Sequence, residues 1–223
     1  MNIESILIYV CAFIISYLIG AIPNGIIIGK VFYHKDVREY GSHNSGGSNA
    51  GRVLGKKAGL AVIICDALKI IVTFWLVITI LKYSSLHKYV SPNDVGFVCL
   101  IGACIGHCYS PYIGFKGGKA VATFAGCLLA TNWLLFLVFL VIFLLVLYRY
   151  KMVSLGSVIS SCLVSLLSFI LFIPFMSITM WPTLNFSWLY NLALIIDTVL
   201  LLYRHKSNFE RLRNHTENKI TWM

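Results

Sequence analysis

Long runs of apolar residues recur along this chain, and they restrict its fold more than any other feature. Short polar stretches separate the runs, and the clearest five cover 5–28, 60–81, 95–112, 155–176 and 186–203. About 20 apolar residues suffice for a helix to cross a lipid bilayer. Only 12% of the 223 residues are charged, whereas an average soluble domain carries about 25%. The sequence therefore predicts an all-α polytopic membrane protein.

A further apolar stretch, 120–148, is long for one crossing and short for two full ones. The charges decide its path, because cytoplasmic loops of membrane proteins are rich in Lys and Arg. The basic loop 34–57 is taken as cytoplasmic, and two crossings later Lys119 is inside as well. The basic C-terminal tail is also expected inside, so an even number of crossings must separate it from Lys119. We therefore predict two short helices that turn near Thr131 and Asn132.

This topology has seven transmembrane helices, an outside N-terminus and a cytoplasmic C-terminus. The loops 82–94 and 177–185 fall outside. Four polar segments gather on the cytoplasmic face, and these are 34–57, 107–119, 149–157 and 204–219. No internal repeat or low-complexity tract interrupts the pattern, so residues 1–223 are expected to form a single membrane-embedded domain.

The net charge of +10 is spread over these short loops. A basic cytoplasmic face attracts anionic phosphate compounds and anionic lipid headgroups, so nucleic-acid binding is the weaker interpretation. The seven cysteines lie mostly inside apolar runs and have no C-x-x-C spacing. This pattern favours buried thiols over disulfides or a metal site, and we expect no metal ligands.

The first polar segment mixes glycine with hydroxyl, amide and guanidinium side chains over residues 38–52. Backbone N–H groups in such a loop can form a concave anion site, and the helix that follows adds its positive end. A flexible linker is the alternative, which the flanking Arg38 and Arg52 make less attractive. The candidate phosphate ligands of this segment are Ser42, Asn44, Gly46, Asn49 and Arg52.

The second segment places a Gly-Gly pair between two lysines at the start of an apolar stretch. Its candidate residues are Lys116, Gly117, Gly118 and Lys119. Either lysine alone is more commonly a topology anchor than a ligand. The glycine pair shifts the balance, because it lets the backbone approach a ligand closely. For His107 a structural role and a site role remain equally open.

The third and fourth segments supply Ser154 and Ser157, and then His205 and Asn208. On a helix, residues three apart share a face, so His205 and Asn208 would point together. An amphipathic basic tail at the membrane surface is the alternative. Charged residues inside the membrane are costly and usually paired or functional. Asp66 and Lys69, three apart, favour a structural pair, and Asp197 has no assigned role.

Together these segments resemble the bacterial acyl-phosphate:glycerol-3-phosphate acyltransferases (the PlsY family) over nearly the whole chain. The family's G-S-G-N-x-G-A-T-N with a following Arg corresponds to 41–52, and its G-H…P…G-F-K-G-G-K-G-V-A-T corresponds to 106–123. Its S-L-G-S corresponds to 154–157 and its H-x-x-N-I-x-R-L to 205–212. One such motif would be weak, but four in the same order are specific.

The chain departs from the family pattern at four positions. His43 replaces a glycine, Gly47 an alanine, Ser48 a threonine and Ala120 a glycine. The changes at Ser48 and Ala120 are expected to be mild. His43 is expected to matter most, because its Cβ restricts a tight glycine turn, although His tolerates the left-handed region better than most residues.

The resemblance implies an enzyme of the bacterial cytoplasmic membrane with its active site on the cytoplasmic face. The sn-1 hydroxyl of glycerol 3-phosphate would attack the acyl carbon of a long-chain acyl phosphate and give lysophosphatidic acid, the first step of phospholipid synthesis. No cofactor, metal or covalent intermediate is implied. The acyl phosphate would come from a soluble enzyme.

The resemblance also assigns roles to the candidate residues. His205, Asn208, Lys119 and Ser42 would act on the reacting groups. We favour His205 as a hydrogen-bond donor that positions phosphate, with a general base as the alternative. The phosphate-binding set would be Arg52, Asn44, Asn49, Gly46, Gly117, Gly118, Lys116, Ser154 and Ser157.

Two other classes of protein are possible. Coenzyme-A-dependent glycerolipid acyltransferases rely on H-x-x-x-x-D, and here His205 is followed by Glu210 instead. A transporter of an organic phosphate would suit broken helices, but it would hold its polar residues at mid-membrane and not on one face.

Overall fold

The computed structural model describes residues 2–170, 180–181, 184 and 187–220. Within these ranges the regular structure is helical, and the only β-type pairing is an isolated bridge between Asn132 and Met180. The α-helices of the described residues are α1 (Ile3–Gly20), α2 (Asn24–Tyr33), α3 (Gly47–Leu54), α4 (Lys56–Tyr83), α5 (Pro92–Cys108), α6 (Val121–Thr131), α7 (Trp133–Tyr150), α8 (Val153–Ile170), α9 (Trp188–Arg204) and α10 (Lys206–Arg213). The 3₁₀ turns lie at Val37–Glu39, Ser85–Lys88 and Pro111–Ile113.

Four helical stretches in the described part of the chain are long and apolar enough to cross a membrane. They are Ile3–Tyr33, Lys56–Tyr83, Pro92–Ile113 and Trp133–Tyr150. Large apolar side chains on their outer surfaces are exposed, for example Leu145 at 64%. Such surfaces suit contact with lipid, which confirms the prediction of a helical, polytopic membrane protein.

The first apolar run, predicted as one helix over 5–28, is divided between α1 and α2. The break falls at Pro23, where proline lacks an N–H and its ring clashes with the preceding helical turn. The Lys69 ammonium donates a hydrogen bond to the Ile22 carbonyl oxygen at 2.8 Å. The buried lysine therefore compensates a carbonyl that the break leaves without a helical partner.

The predicted break near Thr131 and Asn132 is confirmed, because α6 ends at Thr131 and α7 begins at Trp133. The Asn132 side chain caps α7 by accepting the Leu135 N–H at 2.9 Å. The rings of Phe124 and Phe139, nearly equidistant from the break, lie 5.6 Å apart, so the two helices fold back on each other.

The prediction of two short helices here is correct only for α6. It has 11 residues, or about 17 Å of rise, well below the thickness of a hydrocarbon core. Its partner α7 has 18 residues and is itself of spanning length.

Helix α5 occupies the centre of the bundle and packs against α1, α4 and α9. Small residues allow this packing. A Cβ added at Gly106 would lie 2.0 Å from the Tyr17 carbonyl oxygen of α1, and close approach of this kind is typical of membrane helices.

A buried polar contact joins α6 and α9. The Cys127 thiol of α6 donates to Asp197 Oδ2 of α9 at 3.5 Å. Asp197, whose role the sequence left open, is fully buried in this core and is not among the cavity-lining residues described below.

Contacts between loops divide them into two groups. Ser5 donates to the Tyr89 carbonyl oxygen, and the Trp181 N–H donates to the Thr131 carbonyl oxygen. At the other ends of the helices, Lys119 meets Asn208, and Ser154 meets Glu217 in the tail. The predicted loop 177–185 and the end of the predicted span 155–176 lie largely outside the described residues.

Candidate active site

All four polar segments border one cavity of about 350 Å³. Its polar lining includes Ser42, Asn44, Arg52, Lys119, Ser154, Ser157, His205 and Asn208. From this end an apolar arm runs between α4, α6 and α7, lined by side chains such as Ala67, Ala125, Leu129, Phe136, Leu140 and Phe143. The cavity therefore combines groups suited to an anion with a channel suited to an apolar chain.

In the first glycine-rich segment, Asn49 holds the loop together. Its side-chain N–H groups donate to the carbonyl oxygens of Val37, Tyr40 and Asn44, at 2.7, 3.1 and 2.9 Å. Its Oδ1 accepts the Ser42 N–H at 2.8 Å. The whole amide is thus engaged by the loop, which corrects the expectation that Asn49 binds phosphate directly.

The other candidate residues of this segment agree better with their predicted positions at a site. The Gly46 N–H donates to Asn44 Oδ1 at 2.9 Å, so it shapes the loop and is not an open donor. Ser42, Asn44 and Arg52 border the cavity. Among the described residues the Arg52 guanidinium makes no hydrogen bond or ion pair. Its charge is therefore available to a ligand.

His43 adopts the left-handed region with φ 56°, as the family glycine would. Its Nδ1 donates to the Arg38 carbonyl oxygen at 2.9 Å, which helps to hold the turn. Arg38 is itself fixed by Asp36 at 2.8 Å, and this hydrogen bond holds the pKa of the Asp36 carboxyl well below its usual range. The ring is thus hydrogen-bonded within the loop, and His43 is not among the residues that line the cavity.

Ala120, which replaces the family glycine, has a strained backbone conformation. It lies at φ 61°, also in the left-handed region, and is fully buried at the start of α6. The left-handed conformation costs a residue with a Cβ about 1–2 kcal/mol. Alanine has no side-chain hydrogen bond to offset this cost, unlike His43, so Ala120 is the more strained of the two.

The second glycine-rich segment does not offer its backbone to a ligand. The Gly117 N–H donates to the Cys108 carbonyl oxygen and the Gly118 N–H to that of His107, at 3.1 and 3.0 Å. The Arg204 side chain donates to the carbonyl oxygens of both glycines. The predicted anion contacts of Gly117 and Gly118 are therefore not available.

Of the two lysines in this segment only Lys119 reaches the cavity, and Lys116 is exposed outside it. Gly118 is a glycine for another reason than ligand approach, because a Cβ there would lie 2.1 Å from His107 Nε2. The segment is a tightly bonded turn that delivers a single cation to the site.

Lys119 stands in a hydrogen-bonded chain with the C-terminal tail. Its ammonium donates to Asn208 Oδ1. Asn208 Nδ2 donates to Glu217 Oε1 at 2.7 Å, and Ser154 donates to the same oxygen at 2.8 Å. Burial lowers the pKa of Lys119 to about 8, and the nearby Arg211 charge acts in the same direction.

Glu217 belongs to this hydrogen-bonded chain, but the sequence motifs did not identify it as a site residue. It is buried, joins Ser154 and Asn208, and pairs with Arg211 at 2.9 Å. Its sequence signal is weak, because it is one of two acidic residues in a mostly basic tail. The Ser154 hydroxyl, which borders the cavity, therefore already donates its hydrogen bond to a carboxylate.

His205 is buried and its ring has a defined tautomer. Nδ1 lies 2.8 Å from the Leu201 carbonyl oxygen, which can only accept, so Nδ1 carries the proton. Nε2 is then an acceptor, and it lies 3.3 Å from Ser157 Oγ. Burial lowers the pKa of His205 to about 4. His205 therefore presents a neutral acceptor at Nε2, which differs from the expected phosphate donor.

The fold and the site define a class of protein: a multi-pass membrane protein whose main cavity combines a polar, cationic end with an apolar arm. The sequence model described as "Glycerol-3-phosphate acyltransferase" matches residues 10–215. The chain is 40% identical over 209 residues to the glycerol-3-phosphate acyltransferase of Enterococcus faecalis, covering 94% of this chain and 90% of that protein. It is 42% identical over 213 residues to that of Listeria welshimeri, covering 94% and 96%.

Solved structures agree. The chain resembles the crystal structure of PlsY (YgiH), an integral membrane glycerol 3-phosphate acyltransferase, in its glycerol 3-phosphate form, with TM-score 0.78, 26% identity and 96% of each chain covered. The lysophosphatidic acid form gives TM-score 0.76, 27% identity and coverage of 96% and 95%. This chain belongs to the glycerol-3-phosphate acyltransferase family and is an integral-membrane acyltransferase.

Proposed function

We propose that the protein transfers the acyl group of a long-chain acyl phosphate to the sn-1 hydroxyl of glycerol 3-phosphate, releasing lysophosphatidic acid and phosphate. The observation that carries this proposal is the shared cavity. Its polar end presents Arg52 and Lys119, and its apolar arm extends along α6 past Ala125 to Leu129. Both substrates carry a phosphate and only one carries a long chain, which matches a cavity with one polar end and one arm.

The two PlsY structures support the acceptor and the product, since one is in a glycerol 3-phosphate form and the other in a lysophosphatidic acid form. The identity of the acyl donor is inferred from the chemistry of the reaction. An acyl phosphate is a mixed anhydride, so its carbonyl carbon is already activated and needs no metal or covalent enzyme intermediate. Two anions must then be held side by side, and the polar end of the cavity supplies the required cations and donors.

In the proposed reaction the sn-1 oxygen bonds to the acyl carbon, and the bond from that carbon to the bridging phosphate oxygen breaks. The electron pair of the broken bond stays on phosphate. The proton of the attacking hydroxyl also ends on the released phosphate, so no group on the protein changes its charge. Lys119, held by Asn208, would stabilise the negative charge that develops on the leaving phosphate.

The other candidate residues take supporting roles in the proposal. Arg52, Ser42 and Asn44 would bind phosphate oxygens from the first loop. Ser154 and Ser157 would fix the opposite wall, Ser154 by donating to Glu217 and Ser157 by donating to the Ser154 carbonyl oxygen. Asn49 and Gly46, together with Gly117 and Gly118, would act by shaping the two loops.

We assign His205 to orientation of the attacking hydroxyl. Its Nε2 can accept a hydrogen bond from that hydroxyl and so direct an oxygen lone pair at the acyl carbon. With a pKa of about 4 it is a weak base, and an effective general base has a pKa near the working pH. The phosphate leaving group is the better final proton acceptor.

The topology of seven crossings with a cytoplasmic tail belongs to the same proposal. The segments predicted inside contact one another at the cavity, as in the pair Lys119 and Asn208. The segments predicted outside contact one another at the opposite helix ends, as in Thr131 with Trp181. This arrangement would open the site to the cytoplasm of a bacterium, where a soluble enzyme would supply the acyl phosphate.

The test is turnover by purified protein in lipid nanodiscs with glycerol 3-phosphate and one of two donors of equal chain length, palmitoyl phosphate or palmitoyl-CoA. EDTA is present throughout. We expect lysophosphatidic acid from the acyl phosphate alone, with one phosphate released for each product. Formation from the coenzyme A thioester, without activity on acyl phosphate, would contradict the proposal.

A further inference from the structure

A buried charge network of Asp66, Lys69 and His107 lies beside the cavity, and the proposed function gives none of these residues a role. The Lys69 ammonium donates to Asp66 Oδ1 at 2.9 Å, to the Ile22 carbonyl oxygen at 2.8 Å and to His107 Nδ1 at 3.1 Å. Asp66 Oδ1 also accepts from the Asn24 side chain at 2.9 Å. An ammonium has three donors and no acceptor, so all three hydrogens of Lys69 are engaged.

This network fixes the tautomer of His107. Because Lys69 can only donate, His107 Nδ1 must be the acceptor of that hydrogen bond. Asp66 Oδ1 is farther from Nδ1, at 3.7 Å, so the carboxylate does not compete as an acceptor for a proton there. The single imidazole proton therefore resides on Nε2.

The Nε2 atom points at the turn that carries Lys119. It is the atom nearest to a Cβ built on Gly118, at 2.1 Å. Among the described residues Nε2 has no hydrogen-bond partner, yet it is not one of the sealed, unsatisfied atoms. His107 borders the main cavity together with Lys119 and Asp66. His107 thus carries an N–H without a partner among the described residues, on a ring that borders the cavity and lies against Gly118, the neighbour of Lys119.

We propose that His107 is a further substrate-binding residue, a neutral imidazole that donates from Nε2 to a phosphoryl oxygen in this cavity, with Lys69 and Asp66 as the residues that position it. The inference rests on the proposed function for the identity of the substrate. The phosphoryl group is that of glycerol 3-phosphate or that of the acyl phosphate, and the kinetic experiment below distinguishes the two.

The comparison with His205 sharpens the assignment. In His205 the Nδ1 donates to the Leu201 carbonyl oxygen and Nε2 accepts, whereas in His107 the Nδ1 accepts from Lys69 and Nε2 donates. The two rings border the same cavity with opposite polarity at Nε2. One suits a hydroxyl and the other suits a phosphate oxygen. A neutral donor at His107 also adds a hydrogen bond without bringing another charge next to Lys119.

A structural alternative exists for the open N–H. A separate void of about 10 Å³ touches Asp66 and His107 near the break at Pro23. That volume is at the lower limit for one water molecule. If such a water satisfied Nε2, His107 would brace the turn and would not respond to phosphate.

The first experiment reads the tautomer and the ligand directly. Protein labelled with ¹⁵N-histidine is placed in nanodiscs, and the His107 signals are assigned by their loss in His107→Gln. We expect an unprotonated Nδ1 and a protonated Nε2 before any addition. Inorganic phosphate should then shift the Nε2 signal along a saturable curve. A protonated Nδ1, or an Nε2 signal that saturating phosphate leaves unmoved, would overturn the proposal.

The second experiment separates binding from bracing by kinetics. His107→Phe removes the donor, and His107→Gln places an amide N–H near the former Nε2 position. We expect KM for one of the two substrates to rise about 10- to 100-fold in His107→Phe. In His107→Gln most of that rise should be recovered, and kcat should change little in either variant. His87→Phe is the control, since His87 is exposed in the loop near Ser84.

Equal damage in the Phe and Gln variants, or a loss of kcat with both KM values unchanged, would contradict the proposal. The two experiments also separate this inference from the proposed function. The phosphate titration needs no turnover, so a protein that responds to phosphate but does not use acyl phosphate would refute the proposed function alone.

Discussion

The two glycine-rich segments look alike in sequence, yet the structure uses them in different ways. In 41–52 the loop is braced by one amide, that of Asn49, and the neighbouring side chains of Ser42, Asn44 and Arg52 face the cavity. In 114–119, Gly117 and Gly118 are hydrogen-bonded to the end of α5 and to Arg204, and only Lys119 borders the cavity.

The difference teaches that glycine can serve a site in two ways. In the first segment it permits a turn whose other residues border the cavity. In the second, Gly118 makes room for the His107 ring, with a hypothetical Cβ only 2.1 Å from Nε2. Gly46 in the first segment is expected to tolerate an added methyl group, and Gly118 in the second is not.

The largest expected effect is the loss of either cation that the segments present. Arg52→Ala and Lys119→Ala should each lower kcat/KM by about one to two orders of magnitude, the value of one charge-assisted contact of about 1.5–3 kcal/mol. Lys116→Ala is the matched control, because Lys116 lies in the same turn as Lys119 but is exposed away from the cavity. Its rate should stay within about twofold of wild type. Three variants with equal activity would mean that the lysines and Arg52 only set membrane orientation.

A methyl group added to each segment separates their roles. Gly118→Ala must displace the His107 ring and the turn, so kcat/KM should fall about 10- to 100-fold. Gly46→Ala meets only the end of the Asn44 side chain at 3.0 Å, and its activity should fall less than about fivefold. Steady-state kinetics on protein with wild-type thermal stability is the measurement. The reverse order of the two variants would refute the proposed difference between the loops.

A smaller effect concerns stability at the start of α6. Ala120→Gly removes the strain at φ 61° but also a buried methyl group, two changes of about 1 kcal/mol that oppose each other. The thermal midpoint should therefore stay close to that of wild type.

Ala193→Gly is the control, because Ala193 is equally buried but lies in the interior of α9. There the methyl loss and the helix penalty add, and the midpoint should fall clearly. Equal destabilisation by the two changes would show that Ala120 is not strained.

Much of this arrangement was predictable, and the exceptions have physical reasons. Charge parity located the break at Asn132, because loop charge is a property of sequence. The split at Pro23 was signalled by the proline itself, but the lysine that compensates it lies 46 positions away. Long-range partners of that kind do not follow from local patterns.

The site shows the same division. Motif spacing identified Lys119, Asn208 and His205 as neighbours of a phosphate cavity. It could not show that Asn49 is fully bonded within its loop, or that Glu217 returns to Ser154. Those depend on how the tail and the loops fold back, which leaves no periodic signal. The proton positions of the two cavity histidines likewise depend on distant residues.

The most direct test of the shared cavity is to fill its apolar arm and read both substrates. In Ala125→Trp, the indole should occupy the arm between α6 and α7, far from the cations. We expect the preferred acyl phosphate to become shorter by several methylenes and KM for the long-chain donor to rise at least about tenfold, at about 0.8 kcal/mol per excluded methylene. The KM for glycerol 3-phosphate should stay within about threefold. Leu145→Trp, on the exposed side of α7, should change neither value. An unchanged chain-length preference in a folded Ala125→Trp protein would contradict the claim that one cavity holds the acyl chain and the phosphates together.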